Sequence, residues 1–272
     1  MKVSILGCGW LGFPLAKKLI EIGFEVKGST TTENKLAVLK SNKIVPYLLE
    51  LTEHKISESI SDFLYNSDIL IIDIPPGLRK ITEATSEKTF VNKIKTLLPF
   101  MENSTIEKVI FISSTSVYAD TATISTVTEE SVLHPDTESG KQLVEVENLL
   151  RNNSNFQTTI IRFGGLIGED RNIVKMLTGK TNVANPEAPI NLIHQADCIE
   201  IISEILKQNF WNETFNAVSP IHPTRKKYYT EKAKQLHLIA PIFTENETNV
   251  GKIVSSEKLE TILGYRFIKL DL

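Results

Sequence analysis

Strand-like and helix-like stretches alternate from the first residue of the chain. Lys2 to Leu6 reads as a buried strand, and Leu11, Leu15 and Leu19 then recur at helical spacing. Glu25 to Ser29 predicts a second strand and Glu33 to Leu39 a second helix. Further strands rich in Ile and Val are predicted over Ile44 to Leu49, Asp68 to Ile74, Lys108 to Ser113 and Thr158 to Phe163. Helical stretches near Ser57 to Leu64, Ser86 to Leu98 and Glu138 to Leu150 separate them. Apolar strands alternating with amphipathic helices mean a parallel sheet covered on both faces. After Phe163 the rhythm loosens. The stretch to Pro189 is rich in Gly, Asn and Pro, with one short helical candidate from Asn172 to Leu177. A helix is predicted from Asp197 to Lys207, with Asp197 as its N-cap and Glu200 three residues on. Thr214 to Val218 reads as a late strand rejoining the sheet. Two more helices, Tyr228 to Leu236 and Ser256 to Leu263, with a short strand between them, complete the pattern.

The first strand runs straight into Gly7-Cys8-Gly9-Trp10-Leu11-Gly12, which opens the first helix. A lone G-x-G-x-x-G says little, but strand, loop and helix here fall in the order that dinucleotide binding requires. Gly7 permits the tight turn, Gly9 lets the backbone approach a pyrophosphate, and Gly12 lets helix pack on strand. The loop residues Gly7, Gly9, Trp10, Leu11 and Gly12 are therefore expected to hold the phosphates at the positive end of the helix. At the end of the second strand an acidic residue would bind the ribose hydroxyls of NAD. The chain has instead Gly28-Ser29-Thr30-Thr31-Thr32 with Lys35 close behind. Hydroxyls and a cation suit a 2′-phosphate, so Ser29, Thr30, Thr31 and Lys35 point to NADP, with NAD as the alternative and Glu33 as either a ribose ligand or a helix-start residue. Ile74-Pro75-Pro76-Gly77 closes the fourth strand and either flanks the cofactor or is a plain strand stop.

Phe111-Ile112-Ser113-Ser114-Thr115-Ser116-Val117-Tyr118 resembles the fifth-strand motif of extended short-chain dehydrogenases/reductases, the nucleotide-sugar epimerase and dehydratase family. Ile161-Arg162-Phe163 leading to Gly168, Asn191 to Asp197, and Gly251 to Phe267 resemble later motifs of the same family in the same order. The resemblance implies a Rossmann fold, Ser113 beside the cofactor, and Ser114 as the catalytic hydroxyl that hydrogen-bonds a reacting oxygen. It also implies a Tyr about 25 positions later with a Lys four beyond it. Here those places hold Ser139 and Leu143, so the resemblance is to an atypical subgroup without that pair. Thr137 and Lys141 have the right mutual spacing, but using them would turn Leu143 and Val146 outward. Tyr118 is the candidate acid/base, with a wall of the pocket as its other reading, and His194 is a further candidate.

Composition narrows the picture. With 41% hydrophobic and 23% charged residues the chain is an ordinary globular protein, and 30 Lys and Arg against 33 Asp and Glu argue against a nucleic-acid partner. The densest apolar run, Ile69 to Ile74, is broken by Asp73, so no membrane span is expected. Cys8 and Cys198 lack metal-ligand or framework spacing, and no secretory leader is read at the start, which points to a cytoplasmic setting and no metal. The expected organisation is a dinucleotide-binding Rossmann domain over residues 1–168, recovering 214–218, and a smaller C-terminal α/β part over residues 169–272 that closes on the substrate. The expected function is an NADP-dependent oxidoreductase or epimerase/dehydratase-like enzyme for a small polar or nucleotide-sugar-like substrate. A non-catalytic NADP-binding redox sensor is the alternative, and a homodimer is left open.

Overall fold

The computed structural model describes residues 1–78, 87–245 and 248–271. Seven parallel strands form the central sheet: β1 (Lys2–Leu6), β2 (Glu25–Thr30), β3 (Val45–Leu48), β4 (Ile69–Ile72), β5 (Lys108–Ser114), β7 (Gln157–Phe163) and β10 (Thr214–Ala217). They lie in the order β10-β7-β5-β4-β1-β2-β3. The chain moves outward from β1 to β3, then returns to place β4 on the other side of β1. That reversal puts a crevice at the carboxyl ends of β1 and β4, where open α/β sheets take their ligands.

Alternate strand residues feed two separate cores, as the two-residue period of a strand demands. Ile5, Ile69, Ile71 and Ile110 face α1 (Gly12–Glu21) and α6 (Gln195–Gln208), packing with Leu15, Leu19, Ile201 and Ile205. Leu6, Leu70, Ile72, Val109 and Phe111 face α3 (Ile60–Leu64), α4 (Thr89–Glu102) and α5 (Glu138–Arg151). Fully burying one such Leu or Ile contributes roughly 1.5–3 kcal/mol, so both faces of the sheet are strongly held. The Rossmann architecture expected from the alternation is present. The expected start of α4 at Ser86 lies outside the described residues.

Beyond residue 168 the chain does two things. Helix α6, strand β10 and α8 (Glu257–Thr261) join the sheet and its core, with Cys198, Ile202 and Leu259 buried there. Ile167, Val174, Ile190, Tyr228, Tyr229 and Ala233 form a smaller cluster around α7 (Arg225–Gln235). Two short parallel pairs lie outside the main sheet: β6 (Thr126–Val127) with β11 (Ile253–Val254), the short strand expected before the last helix, and β8 (Gly165–Ile167) with β9 (Leu192–His194). The helical candidate from Asn172 to Leu177 is a 3₁₀ turn over Ile173–Met176, with the Asn172 side chain accepting from the Val174 N–H.

Asp197 is not the N-cap of its helix. His194 takes that place, its Nδ1 accepting from the Ala196 N–H at 3.1 Å. Asp197 is instead buried in the first turn, where it accepts from the Tyr265 hydroxyl at 2.7 Å and from the backbone N–H groups of Ile268 and Lys269. Its carboxylate ties the C-terminal segment to α6. Among the described residues no helix is long and apolar enough to cross a membrane.

Candidate functional site

The glycine loop leaves the carboxyl end of β1 at the topological reversal. Gly7 has φ +109°, and a Cβ there would stand 2.3 Å from the Asp73 carbonyl oxygen. A Cβ on Gly12 would stand 2.2 Å from the Gly7 carbonyl oxygen, so no side chain fits at either position. A Cβ on Gly9 would meet nothing within 4 Å. The first and third glycines are thus steric necessities of the turn, and the second leaves the backbone open to a ligand. The N-cap residue Leu11 gives α1 no side-chain hydrogen bond, and the first turn of the helix holds no acidic residue. Its leading N–H groups suit an anion.

Side chains behind the loop fix its shape. The Ser29 hydroxyl accepts from the Gly7 N–H at 2.9 Å, and the Ser29 carbonyl accepts from the Cys8 N–H at 2.7 Å. Ser29 is buried, so its hydroxyl holds the loop from within instead of reaching a 2′-phosphate. Thr30 is buried as well, its Oγ1 accepting from the Thr32 N–H. Thr31 and Lys35 of the expected set are exposed at this end of the site. Burial pushes the Cys8 thiol up to about 12, so it stays neutral. Asp73, directly after β4, was not singled out by the sequence. Its carboxyl accepts from the Gly12 N–H at the start of α1, and burial pushes it up to about 7 against that bond. Ile74 and Pro76 are half-buried and Pro75 exposed as the chain leaves β4.

Trp10 connects the loop to residues far along the chain. Its Nε1–H donates to Asp170 Oδ1 at 2.7 Å, and its carbonyl accepts from Gln195 Nε2 at 2.6 Å. A Cβ on Gly168 would stand 2.8 Å from the indole, and the Arg171 guanidinium lies 4.9 Å from the ring centroid.

At the carboxyl end of β5 the neighbouring serines part company. Ser114 is half-buried and caps a 3₁₀ turn over Thr115–Val117, its Oγ accepting from the Ser116 N–H at 3.2 Å. Ser113 points inward. Its hydroxyl is buried and donates to Glu147 Oε1 at 2.6 Å, which corrects the expectation that it faces the cofactor. Tyr118 is also interior: its hydroxyl accepts from Arg162 Nη1 at 2.6 Å and lies 2.9 Å from Asn216 Oδ1 and 3.0 Å from the Thr128 carbonyl. Burial raises its pKa, with Arg162 pulling the other way. A phenol so enclosed is a structural group, not one that reaches over a cofactor. Thr137 caps α5, accepting from the Gly140 N–H, and exposed Lys141 lies 3.9 Å from Glu138. These two residues therefore do not replace the missing pair, and Leu143 is buried in the core. A Cβ on Gly140 would stand 2.2 Å from the Ser116 carbonyl oxygen, so α5 presses directly on the turn that carries Ser114.

A family model described as NAD(P)H-binding matches residues 7–208 of this chain. Protein YeeZ of Escherichia coli (strain K12) is 32% identical over 268 residues, covering 98% of this chain and 95% of that protein. A UDP-glucose 4-epimerase from the hyperthermophilic eubacterium Thermotoga maritima, solved with UDP-glucose, is similar with a TM-score of 0.81 at 16% identity, covering 98% of this chain and 94% of that one. A UDP-glucuronic acid 4-epimerase from Bacillus cereus, solved with NAD, gives a TM-score of 0.79 at 17% identity over 99% of this chain and 93% of that one. At such identities the structural likeness establishes a common fold.

Proposed function

The chain belongs to the NAD(P)H-binding family, and from that premise we propose that it is an NADP-dependent oxidoreductase or epimerase-like enzyme acting on a small polar or nucleotide-sugar-like substrate. The observation that carries the reading is the pairing of a glycine loop left open at Gly9 with the half-buried Ser114 hydroxyl, both at carboxyl ends of central strands. The shared fold with epimerases solved with UDP-glucose or with NAD supports the substrate class. When bound, the dinucleotide supplies hydride transfer to or from carbon. The chain's own part is to seat its diphosphate on Gly7 to Gly12 and to orient the reacting oxygen through Ser114. Tyr118 takes no part in proton transfer in this reading.

The test is binding followed by turnover. NADPH is expected to bind with a change in its fluorescence, and a screen of carbonyl substrates is expected to find NADPH oxidation. Ser114→Ala is expected to lower kcat about a hundredfold, as removal of an oxygen-orienting donor does, with the Kd for NADPH unchanged. Failure to bind either dinucleotide would overturn the reading. Binding without turnover across the screen would favour a redox sensor, which the absence of a Tyr/Lys pair already makes the competing view.

Preference for NADP rests on Thr31 and Lys35, since β2 ends on Ser29-Thr30 and the first carboxylate beyond it is Glu33. Lys35→Glu is expected to raise the Kd for NADPH about tenfold, the loss of one charged contact, and to leave that for NADH within twofold. Equal effects on both dinucleotides would remove Lys35 from the 2′-phosphate site.

A further inference from the structure

Arg171 is a cation that the dinucleotide reading leaves without a role. It closes a tight turn with Gly168, each backbone N–H donating to the other's carbonyl at 3.1–3.2 Å. Both residues between them are acids, yet neither is its partner. Asp170 accepts from Trp10, and the exposed Glu169 carboxylate lies 4.0 Å from His194 Nε2. Among the described residues the Arg171 side chain makes no hydrogen bond or ion pair; it lies over the face of the Trp10 indole, 4.9 Å from the ring centroid. A guanidinium laid on an aromatic ring is held in place while its planar fork of N–H donors remains available for a bidentate anion.

The position of that fork selects the ligand. Trp10 is the fourth residue of the glycine loop, so the ring that supports Arg171 belongs to the backbone facing the phosphates. The loop itself is poor in positive charge. Asp73 brings a carboxyl to the Gly12 N–H, and the start of α1 supplies only a partial positive charge. Cys198, one turn into α6, senses Asp73 and Arg171 with opposite effect, while burial and Asp197 push its thiol up.

We infer that Arg171 binds the diphosphate of the dinucleotide from the side opposite the glycine loop. The inference rests on the dinucleotide reading above and adds its second wall. The cofactor would then be gripped between α1 and the turn after β8, with Asp170 and Gln195 holding Trp10 so that the grip is preset. Arg171 would be a binding residue that no glycine-loop pattern reveals.

Titration of three ligands tests it: NADPH, ADP (a diphosphate without a 2′-phosphate) and adenosine 2′-monophosphate (without a diphosphate). Arg171→Gln is expected to raise the Kd for NADPH and ADP by about 10- to 100-fold, the range of a hydrogen bond to a charged group, and to leave adenosine 2′-monophosphate within twofold. Arg171→Lys keeps the charge and loses the fork, so it is expected to fall between the two. Unchanged ADP binding in Arg171→Gln overturns the inference and leaves the dinucleotide reading standing. Equal loss for all three ligands also overturns it, because that marks a collapsed loop and not a lost diphosphate contact. If the unmodified chain binds neither NADPH nor ADP, the dinucleotide reading fails and this inference fails with it.

Discussion

Glu147→Leu is expected to lower the unfolding free energy by about 3–5 kcal/mol, the usual result of leaving a buried charge without its partner. Arg162 and Glu147 are both buried. Arg162 Nε lies 3.1 and 3.2 Å from the two carboxylate oxygens, and Nη2 donates to Oε2 at 2.6 Å. The carboxylate also accepts from the Ser113 hydroxyl, and a further guanidinium donor, Nη1, reaches the Tyr118 hydroxyl. Tyr118 in turn meets Asn216 on β10. Every member therefore has a partner, and the network joins β5, β7, β10 and α5 immediately behind Ser114. Removing the carboxylate strands a guanidinium where water does not reach. Replacing both ends, Glu147→Leu with Arg162→Met, is expected to recover much of the loss, because apolar groups of similar volume need no desolvation of charge. Urea unfolding of the single and double variants separates these contributions. A single-variant loss below about 1 kcal/mol would mean that Arg162 finds another acceptor.

This network also marks where sequence reading stops. The strand and helix pattern was legible because it depends on local periodicity: Ile5 and Leu6 face different cores for reasons contained in five residues. The glycine loop was legible for the same reason, since Gly7 and Gly12 answer to backbone contacts within a few residues or with the adjacent strand. Side-chain partners set by long-range packing were not. The motif set both Ser113 and Ser114 at the site, yet the pleat sends Ser113 inward to Glu147 and leaves Ser114 half-buried at the end of β5. Asp197 looked like a cap because acids favour helix starts, whereas its partners, Tyr265 and Ile268, lie some seventy residues on. Ser29 looked like a phosphate ligand and proves to be a strut for Gly7. Arg171 gave no signal, because its position over Trp10 arises only when the turn after β8 meets the loop after β1.

Asp73→Asn is expected to stabilise the protein at pH 8 and to change nothing at pH 4. The carboxyl titrates at about 7 in the folded chain against an ordinary value of 3.8. Between those values the unfolded chain has released the proton and the folded chain still holds it. Stability therefore falls as pH rises through this interval, and the loss is complete above about 7. A shift of roughly three pKa units corresponds to about 4 kcal/mol at most. Asparagine keeps an oxygen for the Gly12 N–H and removes the charge, so the variant's advantage should grow from pH 4 to pH 7 and then level off. The groups around Asp73 do not blur the comparison. Cys8 and Cys198 stay protonated across the range because burial raises both thiols. The same carboxyl bears on the ligand: once ionised it places negative charge at the start of α1, where a diphosphate would sit. NADPH affinity is thus expected to weaken as pH rises past about 7 in the unmodified chain and to stay nearly flat in Asp73→Asn. Urea unfolding and NADPH titration at pH 5 and pH 8 measure both effects. An equal stability change at the two pH values would assign the role of Asp73 to packing, because a charge held at the helix start must make its effect depend on its proton.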